Sequence, residues 1–536
     1  RFSEYKAEVD PDGVFNRGKL VRGSGLARAY TPSLRLVQQE ALILEQSELG
    51  ELNDDIKDCL RCGKCKPVCT THIPRANLRY SPRDKILGTN LLIEAFLYEE
   101  QTRRGLSLQH WAEMNDIADH CTICHRCVTP CPVNIDYGDV TIKMRHALKK
   151  QGKRRESIAS KASMAFLNIQ DAQRIKVMRK GLIEWGYGAQ RLSHYVARQV
   201  KLAGTRDTVP DSDVKRRPRP TRDLSGVPAQ VIHFVKKPMP GGLPNQTMRQ
   251  LLGAEDPRYV PILADPDKAD DEAEAVFYFP GCGSERLFSQ IGLATLAMLY
   301  DAGARTVLPP GYLCCGYPQT SSGDIEKGEA ITTENRVLFH RVANTLNYLD
   351  IRTVVVSCGT CMDQLLRYEF QQIFPDCRLL DIHEYLLEKG YKLDGVDGVQ
   401  YMYHEPCHTP MKTQAGESVA SQLMGQPVSL NDRCCGEAGT FAVARPDIAS
   451  QVRFRKEEEI NAGVEALSGQ PVAEKGTTKM LTSCPACLQG LSRYQADTGV
   501  EADYIVTEMA RHLLGEDWSR QFVDKARDGG VQKVLL

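Results

Sequence analysis

"CTICHRCVTPCP", residues 121–132, places four cysteines within eleven positions and follows the last with a proline. Cys121, Cys124, Cys127, Cys131 and Pro132 read C-x2-C-x2-C-x3-C-P. Three thiolates at three-residue intervals can wrap one face of a four-iron cubane, while the fourth, carried away on the chain, caps a neighbouring cluster. The same spacing recurs upstream in "CLRCGKCKPVC", as Cys59, Cys62, Cys65 and Cys69. Two copies predict two [4Fe-4S] clusters with crossed ligand sets. Cys59, Cys62, Cys65 and Cys131 hold one, and Cys121, Cys124, Cys127 and Cys69 hold the other. Tetrahedral zinc is the alternative, but structural zinc normally draws two ligands from each of two separated knuckles. Thr70 stands in the first copy where Pro132 stands in the second, so the turn leaving Cys69 is less constrained. His72, His120 and His125 read as polar neighbours, because each set has four sulfurs without them.

Working outward, 536 residues with 42% hydrophobic content predict more than one domain with well-filled cores. Lys+Arg 68 against Asp+Glu 68 leaves no net charge, which argues against a nucleic-acid partner held by overall electrostatics. No apolar run is long enough to span a bilayer, and "RFSEYKAEVD" lacks the plan of a signal peptide. Nineteen cysteines in a large, well-charged chain fit a reduced compartment, the cytoplasm, better than a secreted disulfide scaffold. The first residue is arginine, so the expectation is that these residues are one piece of a longer polypeptide.

Between the two cysteine runs, "LLIEAFLYEEQTRRGL" and "LQHWAEMNDIADH" carry apolar residues at three- and four-residue spacing, a helical period. With "SPRDKI" (81–86) after the first run, this region resembles the α-helical ferredoxin type found in subunits of respiratory dehydrogenases. Residues 141–220 then carry 20 Lys+Arg against 6 Asp+Glu. They read as a solvated helical face packed between domains, or as a peripheral contact with the inner face of a membrane. The Pro-, Gly- and charge-rich text of 207–274 reads as a linker.

The remainder is duplicated. Cys282, the pair Cys314 and Cys315, then Cys358 and Cys361 recur as Cys407, the pair Cys434 and Cys435, then Cys484 and Cys487. "AVFYFP", "TVVVS", "VQYMY" and "KMLTS" read as short buried strands, with a cysteine directly after the second and fourth and within four residues of the other two. Ligands of open α/β sheets bind beyond the carboxyl ends of strands, where these thiols stand. "LLDIHEYLLEKG" and "YIVTEMARHLLG" read as helical tails. Cys377 remains outside the pattern and reads as a small core residue. His404, His408, Glu285 and Glu405 lie beside Cys407 or its counterpart, as hydrogen-bond partners or proton donors.

The twofold C, CCG, C-x2-C order resembles the cysteine-rich CCG domain. The chain from about residue 55 to 515 is similar to proteins that carry it behind two ferredoxin motifs. These are the iron-sulfur subunit of glycolate oxidase, the third subunit of anaerobic glycerol-3-phosphate dehydrogenase, lactate-utilisation proteins and the catalytic subunit of heterodisulfide reductase. In the last family a complete motif holds a non-cubane four-iron cluster that cleaves a disulfide. The resemblance implies one or two such clusters on the ten CCG cysteines here, although the gaps between CC and C-x2-C are longer in both units and the gap before CC is shorter in the second. The first twenty residues resemble the carboxyl end of FAD-linked oxidases of the D-lactate and glycolate dehydrogenase type, through Lys6, Asp10, Pro11, Gly13, Asn16, Gly18 and Lys19, with Arg17 in place of a proline.

These readings amount to an α+β multidomain chain: an oxidase tail (1–22), an α-helical ferredoxin domain (23–150), a basic helical segment (151–206), a linker (207–274) and two α/β CCG units (275–395 and 396–536). The function implied is the electron-transfer portion of an FAD-linked D-2-hydroxy-acid dehydrogenase, with FAD in an upstream domain and a quinone or other acceptor downstream. Thiol–disulfide chemistry at the CCG units is the second reading, and a non-catalytic metal-binding scaffold the third.

Overall fold

The computed structural model describes residues 2–12, 14, 47–72, 80–101, 108–200, 227–269, 273–438 and 441–536. Of the oxidase-like tail, the helix Phe2–Val9 carries Lys6 into an ion pair with Asp10 at 2.7 Å. Gly13, Asn16, Arg17, Gly18 and Lys19 lie outside the described residues.

The two helical runs form helices Pro82–Gln101 and Leu108–Asp119, and the second cysteine run leads into helix Tyr137–Lys150. Asp136 accepts from the Gly138 amide at the start of this last helix, and Lys149 and Lys150 close it, so both ends of its dipole are matched. Ile86, Phe96, Trp111, Met114, Val140 and Met144 make the common core. The basic stretch folds into helix Ile158–Asn168 and then helices Ala172–Arg179 and Tyr187–Gln199, joined through the wider π-helical turn Lys180–Gly186.

Both cysteine-rich units are built on parallel strands in one order. In the first, β2 (Ala275–Phe279), β3 (Arg305–Val307), β4 (Ile351–Val356) and β5 (Arg378–Asp381) lie as β3-β2-β4-β5. In the second, β6 (Gln400–His404), β7 (Val428–Asn431), β8 (Thr478–Thr482) and β9 (Glu501–Tyr504) lie as β7-β6-β8-β9. The connectivity reverses direction between the first and third strands of each unit, which opens a crevice at their carboxyl ends. Phe279 pairs with Val356 there, and His404 with Thr482. The units share one apolar core, in which Tyr278, Ile291 and Leu296 of the first join Tyr403, Leu481, Tyr504 and Met509 of the second.

Two expectations are corrected. The supposed linker contains helices Val227–Val235 and Met248–Leu252 and strand β1 (Tyr259–Leu263), which pairs antiparallel with β3; only its first part, 207–226, and residues 270–272 lie outside the described residues. The second unit does not keep its own carboxyl end, because β10 (Val531–Leu535) returns to pair with β1 and completes the first unit's sheet. Proline and glycine hid the first, and the second depends on pairing across more than 250 residues of chain.

Candidate functional site

Each cysteine run of the helical domain is a loop folded around its own sulfurs. Arg61 and Ile123, at matching positions of the two copies, both adopt left-handed backbone (φ 54° and 53°), as do Gly63 and His125 one turn further (φ 79° and 54°). Such residues turn successive amides toward one side: the Ile123 amide donates to Cys121 Sγ at 3.4 Å and the Ile135 amide to Cys131 Sγ at 3.3 Å. For a β-branched residue this conformation costs about 1–2 kcal/mol and persists only where the surroundings fix it. Ile123 is buried, and its carbonyl accepts from His408 Nε2 at 2.9 Å and from the Tyr317 hydroxyl at 3.4 Å. The second loop is thus held by both cysteine-rich units at once.

Cys59, Cys62, Cys65 and Cys131 line one pocket with Gly63, Ile86 and Tyr137, and Cys127 borders it. Cys69 lies with Cys121 beside Cys127, whose thiol is pushed up to about 12 by burial first and by the Cys121 sulfur second. Burial also raises Cys59 and Cys65. Cys62 is exposed, whereas Cys124 faces inward and its sulfur raises the Cys407 thiol through a direct hydrogen bond. The histidines divide. His120 stacks on Tyr80 at 3.5 Å and is held neutral by burial, while His125 bonds Asp136 at 2.7 Å.

The ten CCG cysteines gather where the two crevices meet. Hydrogen-bonding contacts link Cys282 to Cys314, Cys314 to Cys315, Cys315 to Cys361, and Cys361 to Cys358. Cys358 reaches across to Cys484 of the second unit. From there contacts run through Cys487 and Cys435, whose sulfurs are 3.7 Å apart, to Cys434 and Cys407. Cys407 in turn touches Cys124. An unbroken series of sulfurs therefore joins the second loop of the helical domain to the far side of the first unit. Neighbouring thiols share protons along it: Cys314, Cys358 and Cys435 are held well below the ordinary thiol value, chiefly by bonds from Cys282, Cys361 and Cys434 respectively.

The two units are related by near symmetry at this junction. Tyr278 bonds Ser357 at 2.7 Å and Tyr403 bonds Ser483 at 2.9 Å. A Cβ on Gly359, after Cys358, would overlap the His408 carbonyl, and one on Gly283, after Cys282, would lie 2.9 Å from Pro485, after Cys484. Gly316 and Gly436 of the two CCG triplets are left-handed (φ 90° and 80°), which lets each chain turn back beneath its paired cysteines.

The units differ around that frame. His404 replaces Phe279, and its ring, lowered by burial, reaches the Cys435 thiol while Nδ1 lies 3.0 Å from the buried Lys456 ammonium. His404, Cys435 and Cys487 bring ligand atoms within 4.8 Å of one another. Phe279 instead belongs to an aromatic cluster with Phe277, Phe339, Tyr368 and Phe370. His408 points away from the CCG sulfurs toward Asp363 (2.6 Å) and Ile123. Glu285 is consumed by a buried ion pair with Arg249. Glu405, raised by burial, has its carbonyl bonded by Arg126 at 3.5 Å. Burial disfavours the Arg126 charge, but the sulfurs of Cys407, Cys124 and Cys434 more than offset this. Cys377 is a buried core thiol, pushed up to about 11 by burial alone.

Glu437 was not singled out by its position after the second CCG triplet. It is fully buried, accepts from Arg453 at 3.0 Å, Arg493 at 3.4 Å and Gln489 at 2.7 Å, and Gln489 accepts from Tyr187. Nine of the ten CCG cysteines border one cavity of about 510 Å³, which Phe166, Ile183, Tyr187 and Phe441 also line. Converging sulfurs, amides directed at sulfur and Gly-lined turns fit iron–sulfur clusters better than any oxygen-ligated ion.

Comparison with known proteins agrees with this chemistry. Residues 55–135 match the model of a 4Fe-4S dicluster domain, residues 276–366 and 401–492 each match a cysteine-rich domain, and residues 492–536 match a domain of unknown function (DUF3400). The chain therefore carries an iron–sulfur dicluster domain followed by two CCG domains. It is 24% identical over 471 residues to the "Probable glycolate oxidase iron-sulfur subunit" of Bacillus subtilis (strain 168), covering 83% of this chain and 90% of that protein. It is 21% identical to the glycolate oxidase iron-sulfur subunit of Escherichia coli (strain K12), covering 77% and 87%. A 26% identical match to a lactate utilization protein of Exiguobacterium sp. covers 36% of this chain and 84% of that protein. No solved structure matches.

Proposed function

We propose that this chain is the iron–sulfur electron-transfer portion of a flavin-linked oxidoreductase that oxidises a 2-hydroxy acid of the lactate or glycolate type and delivers electrons to a quinone or another acceptor. The reading rests on one observation above all: the series of sulfurs from Cys124 through Cys407 to Cys282, with Cys62 of the first loop exposed. Similarity to glycolate oxidase iron-sulfur subunits and to a lactate utilization protein supports the substrate class.

Cys59, Cys62, Cys65 and Cys131 would hold one cubane, and Cys121, Cys124, Cys127 and Cys69 the other; Cys282, Cys314, Cys315, Cys358 and Cys361, and Cys407, Cys434, Cys435, Cys484 and Cys487, would hold a further cluster each. Bound there, the clusters would supply single-electron carriers, which a flavin collecting two electrons at once requires. The protein's own residues set the arrangement. Tyr317 and His408 fix the Ile123 carbonyl, so the loop bearing Cys121 and Cys124 stays against Cys407. Arg126 donates to the Asp432 carbonyl at 2.9 Å and places a half-buried cation beside Cys124 and Cys407. Phe166, Ile183, Tyr187 and Phe441 give the shared cavity apolar lining, and His404 can hold a proton beside Cys435.

A second reading, thiol–disulfide chemistry within the cavity, is favoured by the contact of Cys358 with Cys484, which brings both C-x2-C motifs to one point. One experiment separates the two. The chain is combined anaerobically with its flavoprotein, and the visible absorbance of its sulfur-bound iron is followed. Bleaching on addition of D-lactate or glycolate supports the hydroxy-acid reading. No bleaching by hydroxy acids, together with re-oxidation of dithionite-reduced protein by a disulfide, would replace it by the second.

A further inference from the structure

The helix pair that borders the cysteine cavity has an outer face that is exposed among the described residues. Val177, Trp185, Leu192, Tyr195, Val196 and Val200 are all exposed, and Trp185, Leu192, Val196 and Val200 recur at intervals of seven, four and four, one stripe of a helix. Between Trp185 and Val200 this stripe runs about 22 Å at the ordinary helical rise. Arg174, Lys176 and Lys180 are exposed on the preceding helix and at the turn that follows it, none is in an ion pair among the described residues, and Glu184 is the single acidic side chain between residues 172 and 200. The opposite face is anchored. Tyr187 bonds Gln489 at 2.8 Å, Gln190 bonds the Phe234 and Lys237 carbonyls at 3.0 and 2.9 Å, and Arg179 bonds the Arg286 carbonyl at 2.7 Å. The helix cannot roll to hide its stripe. Val231 and Ile232 on helix Val227–Val235, which packs beside it, extend the exposed apolar area.

We infer that this face seats the protein on an anionic phospholipid surface, with Trp185 and the aliphatic side chains entering the headgroup boundary and the surrounding cations meeting lipid phosphates. An excess of unpaired cations beside an aliphatic stripe carrying Trp and Tyr suits an anionic interface, and a protein partner would need a matching acidic rim to satisfy the same groups. No helix among the described residues is long and apolar enough to cross a membrane, so the contact is peripheral. Its consequence is positional: Ile183, Tyr187 and Gln190 of the same helices border the cavity of the CCG cysteines, so docking would leave that cavity one helix diameter, roughly 10 Å, from lipid. The inference goes beyond the proposed function and does not depend on the donor or the acceptor, since it is read without turnover.

Its test uses the anaerobically purified full chain with vesicles of phosphatidylcholine alone or with added phosphatidylglycerol. Trp185 is 69% exposed while Trp111 and Trp518 are 8% and 6% exposed, so a lipid-induced change in tryptophan emission reports on Trp185. The expected result is flotation with the anionic vesicles and a blue-shifted emission, weakened on the order of tenfold or more in Lys176→Glu/Lys180→Glu and by high salt. Trp185→Gln/Leu192→Gln should lose binding while keeping its iron content and melting behaviour. Absence of flotation, binding that survives both double variants, or a blue shift that follows protein concentration without lipid would overturn the inference, the last by showing that a second copy covers the stripe.

Discussion

Gly436 shows how narrowly the paired cysteines are placed. It is left-handed (φ 80°), and an added Cβ would lie 2.7 Å from Arg453 Cγ, next to the fully buried Glu437 that Arg453 and Arg493 both engage. Gly436→Ala should therefore cost about 1–3 kcal/mol from backbone strain, plus displacement of Arg453. Gly469→Ala, also left-handed but in open space, should show the backbone part alone. Comparing their thermal midpoints, together with iron content, checks this. Protonation gives a second prediction. Burial raises Cys59, Cys65 and Cys127 above the ordinary thiol value, so each carries its proton at neutral pH and must release it to bind metal. Iron uptake by the apoprotein should strengthen as pH rises and weaken as it falls from 9 toward 6; affinity independent of pH would contradict the assignment. The cysteines themselves could be read from sequence because ligands of one cluster sit a few residues apart at fixed spacing. Glu437 could not, since Arg453, Gln489 and Arg493 reach it from other helices. His404 and His408 looked equivalent beside Cys407, and only the strand's end separates them: one turns into the Cys435 side, the other out to Ile123.

The loops and strands carry the next level of the account. Crossed ligation is the proposed arrangement, in keeping with Cys131 lining the pocket of Cys59, Cys62 and Cys65 and with Cys69 lying near Cys127. Cys131→Ser should abolish the same EPR signal as Cys62→Ser, and Cys69→Ser the same signal as Cys124→Ser. The reverse pairing would mean that each run serves a single cluster. The clamp on Ile123 predicts a separate effect. Tyr317→Phe with His408→Ala removes the bonds on its carbonyl, a loss of about 1 kcal/mol for each hydrogen bond. Rapid-mixing reduction should then show slower electron arrival at the CCG units, while iron content is retained. Strands β2, β4, β6 and β8 were legible because each has an apolar centre and a cysteine two residues (β4, β8) or three residues (β2, β6) beyond its end. Strands β3, β5, β7 and β9 were not, having three or four residues each and polar content, as in "EADY". Their place is fixed by pairing with the longer neighbours, and the expected helical tails begin only after β5 and β9.

Taken together, the chain has one direction. Cys62 of the first loop is exposed; the second loop of the helical domain is pinned by Tyr317 from one CCG unit and His408 from the other; and the sulfur series continues through Cys407 to a cavity that both units share. Duplication was visible in the sequence, but the face-to-face packing was not, because it rests on contacts such as Gly283 with Pro485 and Gly359 with His408 that join segments far apart in the chain. Nor was the closing of the first sheet by the carboxyl-terminal strand β10. The account stands on iron being held at both the helical domain and the CCG units. Iron and acid-labile sulfide analysis of anaerobically purified protein, with EPR of the reduced and oxidised forms, tests this most directly. It predicts well over the roughly eight irons that two cubanes contain, with signals beyond theirs that disappear in Cys282→Ser and Cys407→Ser. Zinc in place of iron, or a colourless protein with empty thiols, would contradict it.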